Sequence, residues 1–395
     1  MQRSTNELLA SLLAGLDSEL DEAIELRHRL HARPELSHAE RQTAAAVAER
    51  LPVACTEVAG TGLLARVGAD EGAPIAIRAE LDGLPIEERT GAPFSATGQA
   101  MHACGHDVHM AALVALTRAA HALGGQLPRP LLAVFQPSEE AYPSGAQQLA
   151  LKELPALAPA AVLAAHVHPE LPWGSVALDP GTVNASSDSV EITVEGEPSH
   201  GAYPHHGRDP ILAVSQIVVA LHAQLGRRID PHGAAVVTVG VIEGGAAENV
   251  IPARARARAS LRAHRPEDRL ALRQMVEEVV GGIAAACGCR GRVELIAGEP
   301  ALENDPGIVA AARALIASAG LAAANEWRSC GSDDFAFFGE LAPLAMGFVG
   351  LDGAPGFEVR PLHHPELLPP DVAVGAVARV QAILYVAAVA SLGID

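Results

Sequence analysis

Met101-His102-Ala103-Cys104-Gly105-His106-Asp107-Val108-His109-Met110 sets three histidines, a cysteine and an aspartate within residues 102–109. An Ala/Leu-rich run at helical spacing, Ala111 to Leu116, follows at once. In an extended segment alternate side chains point the same way, so Cys104 and His106 can present thiolate and imidazole to a common point. Soft sulfur with imidazole nitrogen suits zinc or another borderline first-row metal. Gly105 between them lets the backbone turn without a side-chain clash. A Cys-x-His pair gains its meaning only from what the rest of the chain brings to it.

Four apolar runs of strand length lead into metal-capable side chains. Pro74–Ala79 runs into Glu80-Leu81-Asp82-Gly83, and Leu131–Phe135 into Gln136-Pro137-Ser138-Glu139-Glu140. Ala161–Ala165 runs into His166-Val167-His168, and Leu344–Val349 precedes a Gly/Pro loop that reaches His363-His364-Pro365. Continuous apolar runs alternating with helical segments predict an α/β fold with a mainly parallel sheet covered on both faces. Such sheets bind ligands outside the carboxyl ends of their strands. That edge would collect Asp82, Glu139, Glu140, His166 and His363, with Cys104 and His106 in the loop before a helix.

The middle of the chain has a different period. Val190, Ile192 and Val194 alternate, a His/Gly/Pro loop spans 199–209, and an apolar helix is expected from Pro210 to about Leu225. Strand patterns at 235–241, 253–259 and 292–296 surround a helix over 266–286, an α+β unit inserted into the sheet domain. Its boundaries are placed so that 184–297 forms the insert and 1–183 with 298–395 the sheet domain. The alternation Ala253-Arg254-Ala255-Arg256-Ala257-Arg258-Ala259 reads as a strand with alanines on helices and arginines in solvent or at an interface. At the start, Leu9, Leu12, Leu13, Leu16, Leu20 and Ile24 predict a helix over 6–32 that Pro34 stops, and a second helix is expected over 39–51. His28, His31 and His38 there read as surface or hydrogen-bonded histidines.

Length and composition bound the function. At 395 residues two domains are expected, and 49% hydrophobic against 19% charged residues argues against global disorder. A net charge of −19 argues against a nucleic-acid partner, which needs clustered positive charge. Lys152, in an undistinguished Leu-Lys-Glu-Leu stretch, is the only lysine, which disfavours Schiff-base chemistry. Five scattered cysteines form no disulfide framework, and a reducing cytoplasm is expected. The apolar run Leu8–Leu16 is flanked by acids and reads as a helix, not a signal peptide. The uncharged stretch Val380–Ile394 is shorter than the ~20 residues of a membrane span and predicts a buried C-terminal helix, hence no membrane partner.

Neighbouring Glu139 and Glu140 at a strand end repel unless a cation compensates. A metal pair can do so: one glutamate ligates while the other takes a proton from water that the metal activates. G-x-S-x-G, H-E-x-x-H and Walker signatures are absent. Cys104 as a nucleophile would need His106 to act from two residues away, and Cys287-Gly288-Cys289 brings no third ligand.

Met101-His-Ala-Cys104-Gly-His106-Asp107-x-His109, with Phe135-Gln-Pro-Ser-Glu139-Glu140 and Leu362-His363-His364-Pro365, resembles the M20 metallopeptidase family. The likeness is greatest to the amidohydrolases of N-acyl amino acids, hippurate and auxin–amino acid conjugates. Arg27-His28-x-Leu-His31-x-x-Pro34-Glu35-Leu36-Ser37, Arg78-Ala-Glu80-Leu-Asp82-Gly-Leu-Pro85, Asn249-Val-Ile-Pro252 and Gly331-Ser-Asp-Asp-Phe335 extend it nearly end to end. The resemblance implies a di-metal hydrolase domain with an inserted lid that also mediates homodimerisation. It implies Cys104, His106, Glu140, His166 and His363 as ligands of two divalent ions, zinc or manganese with cobalt or nickel as alternatives. Glu139 would be the general base, with Asp82 and Asp107 in support and His200 stabilising the oxyanion. Asn249 and Arg262 would bind the substrate carboxylate, a role that suits an arginine fork.

Three departures bear on substrate. Glu80 stands where the branch usually has Asp, Asp333 where it has Glu, and Ala141-Tyr142-Pro143-Ser144-Gly145 replaces a glycine-rich stretch. The leading expectation is hydrolysis of the amide of an N-acyl amino acid. The alternative is a dipeptidase or a deacetylase of a biosynthetic N-acyl intermediate, using the same site. A non-catalytic metal-binding module would lack a ligand or the base, and neither is missing.

Overall fold

α1 (Thr5–His31) opens on a reciprocal cap: the Ser4 hydroxyl accepts from the Glu7 N–H, and the Glu7 carboxylate accepts from the Ser4 N–H. The computed structural model describes residues 4–393, so Ile394, the last residue of the uncharged stretch, lies outside them. Next come α2 (Arg41–Ala48), β1 (Cys55–Val58), β2 (Gly62–Val67), β3 (Ile75–Glu80), α3 (His106–Leu123), β4 (Leu131–Gln136), β5 (Ala161–Pro172) and β6 (Ser175–Ala177). The remaining principal elements are β7 (Ser186–Glu195), α4 (Pro210–Arg228), β8 (Ala235–Gly244), β9 (Arg254–Ala263), α5 (Pro266–Ala286), β10 (Arg290–Ala297), α6 (Pro306–Leu315), β11 (Leu344–Asp352) and α7 (Val372–Ser391).

The chain divides into two compact units, Met1–Gly181 with Glu303–Trp327 and Phe337–Asp395, and Thr182–Leu302 with Arg328–Ala336. In the first, the sheet order is β1-β2-β4-β3-β5-β11-β6, closed by a two-residue strand, Ala322–Ala323. Its centre is parallel: β4 with β3, β3 with β5, and β5 with β11. The β1–β2, β2–β4 and β11–β6 pairs are antiparallel, while the Ala322–Ala323 strand runs parallel to β6 at that edge. Every residue of β3 and β4 is buried, as continuous apolar runs require. α1, α3, α6 and α7 contribute to the same apolar core, where a fully buried leucine such as Leu12 or Leu26 contributes about 1.5–3 kcal/mol. α7 is long and apolar enough to cross a membrane by composition alone, yet 83% of its apolar window is buried inside the protein.

Two expectations about local structure change. α2 is shorter than 39–51, beginning after the wholly buried Glu40, whose carboxylate accepts from Thr61 Oγ1 at 2.6 Å. β5 does not stop at Ala165 but continues to Pro172 beside β11, so His166 sits within a strand, opposite Phe348.

In the second unit the antiparallel order is β8-β9-β7-β10. α4 starts on Asp209, whose carboxylate accepts from Ile211 and Leu212 N–H, with Pro210 at the first helical position. Ala255, Ala257 and Ala259 of β9 are buried in the same apolar cluster as residues of α4 and α5, while Arg254, Arg256 and Arg258 are exposed. Glu195 lies across from Arg254, Glu191 from Arg258 and Glu243 from Arg256. The arginine row is thus matched by acids on neighbouring strands.

This unit runs from 182 to 302 and also takes in 328–336, which the expected 184–297 omits. Backbone bonds bring that segment in: Ser329 N–H donates to Val183 O at 2.9 Å and Ala185 N–H to Ser329 O at 3.1 Å. Such pairing leaves no hydrophobic period for a sequence reading to follow.

Buried Asp188 is clamped by Arg269 and Arg273, each donating twice, over 2.5–3.0 Å. Burial alone would push its carboxyl up; the two guanidiniums outweigh that and hold it below the ordinary aspartate value. A depressed folded pKa contributes stability above the unfolded value, which is lost as pH falls through the folded one. Asp188→Ala is expected to cost about 1–3 kcal/mol near pH 7, the range for buried partners left unsatisfied. In denaturant melts from pH 7 to 2, that difference should shrink only below about pH 4.

Candidate metal centre

His106 is the first residue of α3, and Gly105, its cap, is left-handed at φ +85°. A Cβ at Gly105 would lie 2.6 Å from Val167 Cγ2. Cys104 and His106 are therefore brought together by a left-handed turn into a helix, not by alternation in an extended loop, and only glycine fits both the angle and the space. His106 Nδ1 lies 2.8 Å from the Asp82 carbonyl oxygen. A carbonyl only accepts, so Nδ1 donates and Nε2 is the nitrogen left to face a ligand. That Nε2 is buried with no hydrogen-bond partner among the described residues. His166 is set the same way: its Nδ1 donates to Val167 O at 2.6 Å, and its Nε2 faces Cys104 Sγ at 3.4 Å.

The two glutamates leave β4 through Ser138, a non-glycine residue at φ +52°. Its N–H donates to buried Glu40 at 2.8 Å, and its hydroxyl lies 2.9 Å from His38 Nδ1 and accepts from the His38 N–H at 2.9 Å. The chain then folds back so closely that a Cβ on Gly145 would meet Pro137 O at 1.8 Å. Glu139 Oε2 comes within 3.9 Å of His106 Nε2. Glu140 Oε1 is 3.3 Å from His363 Nε2 and 4.0 Å from His106 Nε2, and it too is buried without a hydrogen bond among the described residues. His363, at φ +66°, is tied in by its N–H, which donates to Ala103 O at 2.8 Å.

Three overlapping trios result: Cys104, His106 and His166; Cys104, Glu140 and His363; His106, Glu139 and Glu140, each with its donor atoms within 4.8 Å of one another. Burial would push His106 down, but Glu80, Asp82 and Glu140 together raise it to about 10. The surroundings demand positive charge at that point. Burial and the neighbouring imidazoles hold His166 well below its ordinary value, in the neutral form a ligand requires. Thiolate, imidazole and carboxylate donors with two orphaned buried atoms fit a pair of divalent ions.

Support comes from behind. Asp82 Oδ2 accepts from Ser37 Oγ at 2.6 Å and from the Glu140 N–H at 2.9 Å, joining strand end, ligand and N-terminal loop. Asp107 Oδ2 accepts from Arg27 Nε and His31 Nδ1, both at 3.0 Å. His31 also reaches Glu88 at 3.0 Å, and His28 reaches Asp371 at 2.8 Å, so both are hydrogen-bonded as expected. Ser37 and Glu88 had no functional signal of their own in the sequence, and His109 stood in the opening motif without an assigned role. Ser37 could have been suspected from its place in the Pro34–Ser37 motif.

The remaining candidates belong to the second unit. His200 is exposed on a short strand paired with Val250, and its Nδ1 accepts from the Ala202 N–H at 3.0 Å. Asn249, also exposed, accepts from the Gly201 N–H through its carbonyl at 2.7 Å. Arg262, on β9, donates to the hydroxyls of Ser332 at 2.7 Å and Ser260 at 3.3 Å, and makes no ion pair among the described residues.

Residues 76–385 match the Peptidase family M20/M25/M40. An N-acetyl-L-cysteine deacetylase of Bacillus subtilis (strain 168) is 34% identical over 89% of this chain and 84% of its own. An N-acetyldiaminopimelate deacetylase of Bacillus pumilus (strain SAFR-032) is 32% identical over 92% and 97%. Among solved structures, the YXEP protein of Bacillus subtilis, a dinuclear metal binding peptidase from the M20 family, superposes with a TM-score of 0.83 at 28% identity, over 95% of this chain and 99% of that one. With the donor set in place, the chain belongs to the M20 family and is a metal-dependent amidohydrolase with a dinuclear metal-binding fold.

Proposed function

We propose that this protein removes the acyl group, acetyl above all, from a small N-acylated amino acid. The observation that carries the chemistry is the convergence of Cys104, His106, Glu139, Glu140, His166 and His363, with His106 Nε2 and Glu140 Oε1 buried and unbonded. The broad reading, any N-acyl amino acid, narrows because relatives matched along most of their length are named as deacetylases. The deacetylase reading, second in the sequence analysis, is therefore the better supported.

Cys104, His106, Glu140, His166 and His363 hold the ions, and the sulfur donor favours zinc over manganese. Two bound divalent ions supply Lewis acidity toward the amide oxygen and lower the pKa of water toward 7. Glu139, half-buried beside the donors, takes a proton from the attacking water and delivers it to the amine nitrogen as the C–N bond breaks. The acyl group leaves as a carboxylate. Asp82 keeps His106 and the Glu140 backbone in register through its carbonyl and Oδ2. Arg262, partnered only by hydroxyls in its own unit, binds the substrate carboxylate with Asn249, and His200 donates to the oxyanion. A homodimer through the second unit completes the proposal, supported by exposed Leu212 and Val219 on α4.

Metal-stripped protein reloaded with zinc, manganese or cobalt should cleave N-acetylated amino acids faster than hippurate or dipeptides; the reverse order would overturn the deacetylase reading. Glu139→Gln should keep its metal by elemental analysis yet lose at least about 10²-fold in kcat. Arg262→Ala should raise KM for carboxylate-bearing substrates by about tenfold or more while sparing the corresponding amides, the scale of a charged hydrogen bond. Leu212→Glu combined with Val219→Glu should halve the mass seen by light scattering; a parent protein that is already monomeric refutes the dimer.

A further inference from the structure

His109 has both ring nitrogens engaged, though it ligates nothing in the proposed chemistry. β3 pairs with β5 only as far as Arg78 opposite Ala164. Beyond that point β3 gives the β5 backbone no partner, and the buried Val167 N–H instead donates to His109 Nε2 at 3.0 Å. An N–H can only donate, so Nε2 accepts and the ring proton sits on Nδ1, 2.8 Å from Glu80 Oε2. Burial alone would push the Glu80 carboxyl up, but the buried Arg78 guanidinium bonded to it, with the His109 and His106 rings, outweighs that and holds it well below the usual glutamate range. Arg78 is itself held by Gln136 of the neighbouring strand at 2.8 Å. Glu80, His109 and His166 place donor atoms within 4.8 Å of one another. They are still no third metal site, because His109 has no lone pair to spare.

The carbonyl of the same residue, Val167, accepts the His166 Nδ1 proton at 2.6 Å. We propose that His109 is a positioning residue for metal binding: by anchoring the Val167 backbone through its N–H it fixes the carbonyl that orients His166 and so aims the His166 Nε2 lone pair at the metal centre. The inference rests on the reading of His166 as a ligand. A continuous line, Arg78–Glu80–His109–Val167–His166, then runs from the interior of the sheet to the ion. Removing outer partners of this kind lowers metal affinity about 10–100-fold.

The test separates the two ring contacts. His109→Asn reaches toward Glu80 but not Val167, whereas His109→Gln extends a carbonyl toward the Val167 N–H. With His166→Ala as reference, metal affinity is read by chelator competition and the ligand field by the visible spectrum of cobalt-loaded protein. The melting temperature of the metal-free protein controls for packing. His109→Asn should weaken metal binding about 10–100-fold and shift the cobalt bands, with His109→Gln close to the parent. If His166→Ala weakens binding and His109→Asn does not, this inference is overturned and the ligand reading stands. If both asparagine and glutamine variants lose affinity in step with metal-free stability, His109 only packs, and the inference is again overturned. Parent-like binding in His166→Ala would sink the ligand reading and this inference with it.

Discussion

Uncompensated negative charge at one edge of a buried sheet is the constraint from which the rest of the site follows. Glu80, Asp82, Asp107, Glu139, Glu140 and the Cys104 sulfur gather where burial alone would favour neutral carboxyls. The chain settles most of that charge with its own groups. Arg78 takes Glu80, Arg27 and His31 take Asp107, and a serine hydroxyl and an amide take Asp82. Among the described residues His106 Nε2 and Glu140 Oε1 still lack a hydrogen bond, as do Asp82 Oδ1 and Asp107 Oδ1 behind them, and the first two are flanked by Glu139, His363, Cys104 and His166. A protein that pairs Glu80 and Asp107 with its own cations and still gathers Glu139, Glu140 and Cys104 at one place is built for cations there.

Rigid backbone delivers those donors. Gly105, Ser138 and His363 all adopt positive φ, and each lies within two residues of a donor side chain. Two of the three are not glycine, so the surroundings must over-determine them. Ser138 is fixed by Glu40 and His38, and His363 by the Ala103 carbonyl. The strain is local, while the parallel strands behind it are regular. Precision at the donor atoms is thus inherited from a sheet whose central strands are wholly buried.

Much of this could be read from the residues. Apolar runs ending in acids and histidines marked the strands, and the Cys104–His106 and Glu139–Glu140 pairs marked donors that the structure brings together. Local pattern misled where geometry is set by a single torsion or by a neighbour. Gly105 reads as a flexible spacer, yet it is a left-handed helix cap, and β5 reads as ending at Ala165 because His166 is polar, though β11 carries it on to Pro172. Segment 328–336 joins the second unit through backbone bonds of Ser329, and backbone bonds have no composition. His109 was illegible for a related reason: its partner is an amide hydrogen 58 residues away in the chain.

The same logic bears on what the substrate must contribute. A net charge of −19 disfavours the approach of an anion, although screening confines that effect to about 8 Å at physiological salt. Recognition of an anionic amino-acid substrate therefore has to come from placed cations at short range. Several arginines are already committed: Arg27, Arg78, Arg269 and Arg273 pair with buried acids, and those of β9's outward row stand across from glutamates. Arg262, on the same strand but bonded only to hydroxyls among the described residues, keeps its charge uncancelled. On the proposed reading of Arg262, two hydroxyls hold a guanidinium fork in place without neutralising it, which suits a carboxylate binder before its ligand arrives.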